Sequence, residues 1–104
     1  MKTLGTHNYY VYILTNKNKT VLYIGVTNDL VNRIRFHREN VNLNSKAFTS
    51  KYRVFYLVYF EQFHEINIAI AREKQLKGWL RIKKDKLISE SNPNWKFLND
   101  DIEM

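Results

Sequence analysis

The sequence contains no cysteine, and this absence removes several classes of protein at once. A disulfide scaffold, a thiolate metal site and a cysteine nucleophile are all excluded. No apolar run approaches the roughly 20 residues that a membrane-spanning helix needs. The opening stretch MKTLGTHNYY lacks the apolar segment of a secretory signal. We therefore expect a cytoplasmic protein with no membrane partner.

Proline and glycine are also scarce. Pro93 is the single proline, so the elements before it are expected to run uninterrupted. The chain has three glycines, and neither the P-loop pattern nor the dinucleotide-binding pattern is present. ATP and NAD binding therefore have no support in the sequence.

The chain has an excess of positive charge. It carries 17 Lys and Arg against 10 Asp and Glu, which gives a net charge of +7. Such a balance favours an anionic partner, and nucleic acid is the commonest one, although a basic domain without such a partner is the alternative. With 104 residues, 44% of them hydrophobic, we expect one domain over residues 1–104 with a core at about 8–98.

The order of β-rich and helical segments predicts an α/β (α+β) fold. Two β-rich runs with a short polar joint suggest a hairpin, and a third run, apolar on both faces, is expected at the centre of the sheet. We expect a small three-stranded sheet, mixed or antiparallel, flanked by helices, with residues 40–52 as a loop. The predicted order is ββαβαα, with strands at Tyr9–Thr15, Val21–Val26 and Arg53–Phe60 and helices at about 29–40, 65–78 and 79–90.

The hairpin brings two tyrosines onto one face. A loop symmetric about Lys17 and Asn18 places Tyr12 directly opposite Tyr23. Gly25 then follows on the same face and leaves a gap where a ligand could approach the backbone. The alternative is ordinary cross-strand aromatic packing.

The first helix, capped by Thr27 or Asn28, carries a cation and an imidazole four residues apart. Arg33 and His37 share a face, while Val31 and Ile34 are expected to anchor the helix on the sheet. A guanidinium suits a phosphate group, and an imidazole can bind phosphate or carry a proton. The alternative is a solvated helix face.

The second helix holds an acid within an apolar stripe. Glu73 is flanked at helical spacing by apolar side chains, and burying a carboxylate without a partner costs several kcal/mol. One reading is a ligand for Mg²⁺, and the other is a buried ion pair with Arg33 as the candidate partner. The apolar neighbours are Ile66, Ala69, Ile70, Leu76 and Leu80.

The chain after residue 71 is rich in cations, with Trp79 and Trp95 nearby in the sequence. Release of counterions from phosphates would drive binding of nucleic acid to such a surface, whereas the alternative is a solubilising face. The basic run comprises Arg72, Lys74, Lys77, Arg81, Lys83, Lys84 and Lys86. The expected nucleic-acid-binding residues are all of these except Lys86, together with Gly25, Arg35 and Asn94.

Taken together, these residues resemble the GIY-YIG nuclease family over about residues 8–100. Residues 10–12 (YVY) stand at the first motif, with tyrosine in place of its glycine, and residues 23–25 (YIG) match the second. Arg33 and His37 follow Tyr23 at the family's spacing for its arginine and its His or Tyr. Glu73, within AREKQLKGW, stands at the metal-binding glutamate, and NPNW at residues 92–95 resembles the end of small stand-alone members. Such members are similar to the nuclease subunit of bacterial excision repair.

The resemblance implies metal-dependent hydrolysis of a phosphodiester, with DNA favoured over RNA as substrate. Glu73 would hold one Mg²⁺ or Mn²⁺. Tyr12 would activate the attacking water, helped by Tyr23 or His37, and Arg33 would lower the pKa of Tyr12 and stabilise the transition state. Intrinsic specificity is expected to be low, with a protein partner as a candidate source of target choice. The alternative function is a nucleic-acid-binding module that keeps the fold without catalysis.

Overall fold

The computed structural model describes residues 8–40 and 48–102. The elements in chain order are β1 (Tyr9–Thr15), β2 (Leu22–Thr27), α1 (Leu30–Asn40), α2 (Phe48–Lys51), β3 (Tyr56–Phe63), α3 (Ile66–Lys77), α4 (Arg81–Ser91) and α5 (Asn99–Ile102). The predicted α+β class and the order ββαβαα are confirmed, with two short helices, α2 and α5, added to them. None of the described helices is long and apolar enough to cross a membrane.

The three strands form one antiparallel sheet in the order β2-β1-β3, so the central strand is β1. The prediction that the third β-rich run is central is wrong. Residues 11–15 of β1 are all buried, whereas β3 has exposed side chains at Phe60 and Gln62. A strand covered on both faces reads as a continuous apolar run, and β1 fits this pattern better than β3 does.

Helices cover both faces of the sheet. On one face, Val11 and Ile13 of β1 pack with Ala69 and Leu76 of α3 and with Ile88 of α4. The opposite face has its own cluster, which comprises Tyr12, Leu14, Leu30, Ile34, Val54 and Leu57. Helices α1 and α3 therefore approach β2, which is an edge strand, from opposite sides.

The register of the hairpin differs from the predicted one by two residues. Tyr12 pairs with Gly25, and Leu14 pairs with Tyr23. The connection is longer than a two-residue turn because the Asn16 side chain accepts hydrogen bonds from Thr20 N at 2.8 Å and Val21 N at 3.1 Å. The two tyrosines still share one face, since a shift of two residues preserves the alternation of a strand.

The helix boundaries follow local chemistry. Asp29, rather than Thr27 or Asn28, caps α1 by accepting a hydrogen bond from Asn32 N at 3.2 Å. Leu30, rather than the predicted Val31, is buried beside Ile34. Gly78 ends α3 as predicted.

The predicted loop over residues 40–52 is wrong in part. Residues 48–51 form α2, whereas residues 41–47 lie outside the described residues. The third strand also differs from its predicted bounds. It begins at Tyr56, three residues after the predicted Arg53, and it extends to Phe63.

Candidate active site

The ring of Tyr12 lies over Gly25, and this contact explains why residue 25 is a glycine. A methyl group at position 25 would overlap the hydroxyl and ring carbons of Tyr12. The gap that the sequence predicts for a ligand at Gly25 is therefore filled by the phenol of Tyr12, and Gly25 itself is buried. Glycine is needed here because no side chain fits beneath the ring.

Tyr12 belongs to a buried chain of hydrogen bonds that joins three elements. Its hydroxyl lies 3.1 Å from His37 Nε2, and His37 Nδ1 lies 3.1 Å from the hydroxyl of Thr49. Tyr12 and His37 are 2% and 5% exposed, respectively. A neutral imidazole offers one donor and one acceptor: the tautomer protonated at Nδ1 donates to Thr49 and accepts from Tyr12, and the tautomer protonated at Nε2 reverses both bonds.

The surroundings of this chain oppose ionisation of both groups. Burial, reinforced by Tyr23 and Glu73, raises the pKa of Tyr12 far above its usual value, although the charge of Arg33 lowers it. Burial, with the charge of Arg33, lowers the pKa of His37 to about 4. Arg33 lowers the pKa of Tyr12 as expected, but burial raises this pKa by more. At neutral pH both side chains are uncharged.

Tyr23 joins this buried chain to the surface. Its ring is 6.3 Å from that of Tyr12 and makes an edge contact with His37 at 5.4 Å. It also stacks with Phe48 of α2, with the ring centres 6.2 Å apart. Tyr23 therefore lies between the buried groups and a solvent-facing aromatic side chain.

Arg33 is exposed above the site. Its guanidinium carbon lies 5.7 Å from the centre of the Phe36 ring, and among the described residues it forms no ion pair. Its charge nevertheless acts on the pKa of both Tyr12 and His37. An unpaired guanidinium at the mouth of a buried acid–base pair can bind a phosphate through two oxygens.

Glu73 approaches from α3. Its side chain is 15% exposed and forms an ion pair of 3.2 Å with Lys77, one turn later, rather than with Arg33. Of its predicted apolar neighbours, Ala69 and Leu76 are fully buried, whereas Ile66 and Leu80 are exposed. The carboxylate therefore lies at the border of the apolar stripe, and its charge acts on Tyr12.

A single carboxylate, that of Glu73, fits a divalent cation that takes few ligands from the protein. Among residues 8–40 and 48–102 no three His, Asp or Glu side chains cluster as metal ligands, so a site formed by the protein alone is not found there. Mg²⁺ keeps several waters and binds through one or two carboxylates plus substrate phosphates. Glu73 satisfies that requirement as a single carboxylate.

The predicted basic residues divide into two groups. Arg72 and Arg81 are bound within the fold: Arg72 donates to both oxygens of Glu61 at 2.9 and 2.8 Å, and Arg81 pairs with Asp85 and donates to backbone carbonyls of the hairpin loop. Burial raises the pKa of Glu61, but hydrogen bonds from Arg72 and Tyr59 outweigh it and hold the pKa low. These two arginines therefore stabilise the fold.

The remaining basic residues lie at the surface, and one of them, Lys77, is paired with Glu73. Lys77 and Lys84 line a concavity of about 210 Å³ together with Leu22, Tyr23, Ile24 and Phe48. Lys83 covers the Trp79 ring at 4.2 Å. The other members of the predicted binding set outside Gly25 are exposed, namely Arg35, Lys74 and Asn94.

Sequence reasoning missed Thr49 and Phe48, because it placed no helix at α2. Thr49 fixes His37, and Phe48 covers Tyr23. A signal was present: Phe48 and Tyr52 are four apart in an otherwise polar stretch, and their rings meet at 4.9 Å.

A larger concavity of about 480 Å³ lies elsewhere, between the start of α1 and α5. Asp29 and Asp101 are among its lining residues, and none of the lining residues is a cation. A phosphate group would meet like charge there, so this concavity does not suit a nucleic-acid backbone.

Comparison with known proteins gives consistent matches. Residues 8–86 match the GIY-YIG catalytic domain. A UPF0213 protein of Bacillus pumilus is 36% identical over 84 residues, covering 81% of this chain and 82% of that protein. One from Staphylococcus saprophyticus is 38% identical over 82 residues, covering 79% and 95%. The solution NMR structure of a UPF0213 protein from Bacillus halodurans has a TM-score of 0.54 at 27% identity, covering 93% of this chain and 99% of that one.

Proposed function

This chain belongs to the GIY-YIG catalytic-domain family, and from that membership we propose that it is a metal-dependent endonuclease that cleaves phosphodiester bonds in DNA. The observation that supports this most is the buried Tyr12–His37 hydrogen bond, bordered by the opposite charges of Arg33 and Glu73. A neutral proton-accepting pair, a phosphate-binding cation and a metal-binding carboxylate are the groups that this hydrolysis requires.

Arg33 binds the scissile phosphate. Its guanidinium has no competing carboxylate among the described residues, and it lies close enough to Tyr12 and His37 to influence both. Because a guanidinium stays charged at any working pH, it stabilises the negative charge that grows on the phosphoryl oxygens in the transition state.

Tyr12 and His37 remove the proton from the attacking water. The raised pKa of Tyr12 means that its phenol is protonated in the free protein, so it can accept a proton only as it gives its own to His37 Nε2. Burial lowers the pKa of His37, and the charge of Arg33 lowers it further, so a bound phosphate that offsets this charge makes the imidazole a better acceptor. Tyr23 packs against both rings and keeps them in place.

Glu73 holds the divalent cation, Mg²⁺ or Mn²⁺. When bound, the cation would neutralise part of the negative charge that develops in the transition state. Lys77 pairs with Glu73, and with a metal bound to this carboxylate Lys77 would be free to contact a neighbouring phosphate. Its own side chain is 53% exposed, so its ammonium group would stay solvated outside the pair.

The surface around the site contacts the nucleic-acid backbone without reading its sequence. Lys74, Lys77 and Lys84 supply charge, and charge contacts carry no sequence information directly. We therefore propose low intrinsic specificity, with target choice supplied by substrate shape or by a protein partner.

Arg33→Ala tests this proposal. We expect its cleavage rate in Mg²⁺ to fall about 100- to 1,000-fold relative to wild type, because a charge that stabilises the transition state is lost. Arg38→Ala is the matched control, since Arg38 lies on the same helix but faces Phe55 at 5.7 Å. If Arg33→Ala cuts like Arg38→Ala, the assigned site is wrong, and binding without any cutting by wild type would favour the non-catalytic alternative.

A further inference from the structure

The concavity beside Tyr23 has the chemistry of a site for one unpaired nucleotide. We propose that Phe48, supported by Tyr23 and Tyr52, forms a stacking platform for a nucleobase, and that Lys77 and Lys84 bind its phosphate. The substrate class would then be single-stranded or locally unpaired nucleic acid. This inference rests on the proposed function for its substrate, and it names a part of that substrate.

The platform is aromatic and open to solvent. Phe48 and Tyr52 are 45% and 43% exposed, which is high for large rings. Phe48 stacks on Tyr23 with an angle of 29° between the ring planes, and Tyr52 packs against it at 4.9 Å. Aromatic side chains exposed in this way are the means by which proteins hold single-stranded nucleic acid without sequence preference.

Charge lies beside the platform. Lys77 and Lys84 come from α3 and α4 and line the same 210 Å³ concavity as Phe48, which Leu22 and Ile24 make partly apolar. An apolar and aromatic wall next to two ammonium groups matches a nucleotide, which has a flat base and an anionic phosphate. The charge complementarity favours this occupant over an apolar protein segment.

The platform is continuous with the candidate active site. Tyr23 contacts both Phe48 and His37, while Lys77 pairs with Glu73. A base stacked on Phe48 therefore brings its adjoining phosphates toward Arg33 and Glu73. A base in the interior of a duplex has both faces covered by its neighbours, so an unpaired base can stack on this surface and an interior paired base cannot.

The test is binding of the full chain to a short fluorescein-labelled oligothymidylate in EDTA, with a blunt duplex as second probe. Phe48→Ala should weaken binding of the single strand about tenfold, as expected for loss of one stacked base. Its affinity for the duplex should stay unchanged, and Phe48→Trp should restore binding of the single strand. Ile68→Ala, which removes a side chain that is 56% exposed on α3, is the matched control and should bind both probes like wild type.

Three results would overturn the inference. The first two are that Phe48→Ala binds the oligothymidylate as wild type does, or that it loses affinity for both probes equally. A third is a wild-type dimer in sedimentation that Phe48→Ala dissociates, since a second copy would then cover this surface. Because EDTA removes any metal, the binding result is independent of cleavage. A chain that never cuts but shows this stacking signature would refute the proposed function and leave the stacking site intact.

Discussion

At the residue scale, the site depends on two side chains that burial keeps uncharged. The sequence predicts the members Tyr12, Tyr23, Arg33, His37 and Glu73 because their types and spacing resemble a known pattern. It could not predict that His37 is fixed by Thr49, because residues so distant in the chain meet only through tertiary packing. It also could not predict the net rise in the pKa of Tyr12, since burial is a property of the folded chain.

His37 makes stability depend on pH. Its pKa falls from 6.5 to about 4 on folding, so between these values the unfolded chain binds more protons than the folded one. The contribution of the neutral imidazole is fully present above about pH 6.5 and is lost as the pH falls toward 4. We expect the free energy of unfolding to drop by about 1–2 kcal/mol from pH 7 to pH 5 because of this residue.

Urea unfolding of wild type and His37→Gln at both pH values measures this effect. Other groups titrate in both proteins, so the quantity of interest is the difference between their two pH dependences. The variant should lose less stability than wild type on going to pH 5. Equal losses would mean that His37 is not held neutral by its surroundings.

At the element scale, the β1–β2 hairpin shows what a local pattern can and cannot predict. The β-rich composition of Tyr9–Thr15 predicts the strand, and the predicted hairpin places Tyr12 and Tyr23 on a shared face. The register depends on the Asn16 side chain, which closes a longer loop than the sequence suggests. The predicted strand order was wrong for a similar reason. The order depends on which helices cover β1 and β3, and this is decided by tertiary packing.

Gly25→Ala tests the close contact within this hairpin. The added methyl group overlaps the phenol of Tyr12, so we expect a loss of about 1–3 kcal/mol in the free energy of unfolding. Gly78→Ala is the matched control, because its methyl group would lie 3.5 Å from the nearest atom, Gln75 O, and its φ of −80° suits alanine. It should be neutral or stabilising by up to about 1 kcal/mol. Equal effects of the two changes in urea unfolding would contradict this account of Gly25.

At the scale of the whole molecule, net charge overstates the binding surface. The excess of cations predicts a basic surface for an anionic partner, but the side chains of Arg72 and Arg81 are bound to other groups of the fold.

The chain beyond the family match covers one edge of the sheet. The match ends at residue 86, and the residues that follow reach the outer edge of β3. Leu98 N donates to Leu57 O at 2.7 Å, and Asn99 bonds to Leu57 N and Phe55 O at 2.9 Å each, which covers the outer edge of β3.

Asn99→Ala tests this closure. The change leaves the buried amide of Leu57 without its acceptor, so we expect a loss of about 1–3 kcal/mol in the free energy of unfolding. Asn94→Ala, at an exposed position in the same segment, should stay within about 0.5 kcal/mol of wild type. Thermal or urea unfolding of both variants would measure this, and a stable Asn99→Ala would mean that the C-terminal segment does not hold the sheet edge.

The most direct measurement of the central claim is cleavage of unpaired DNA in Mg²⁺ by wild type, Glu73→Gln and Glu90→Gln. Glutamine has the size of Glu73, and the partner Lys77 is 53% exposed and can be solvated by water, so the replacement should leave the fold and the binding of DNA in EDTA nearly unchanged. We predict that wild type and Glu90→Gln cut, and that Glu73→Gln cuts at least about 100-fold more slowly. Cleavage by Glu73→Gln at the wild-type rate would contradict the account.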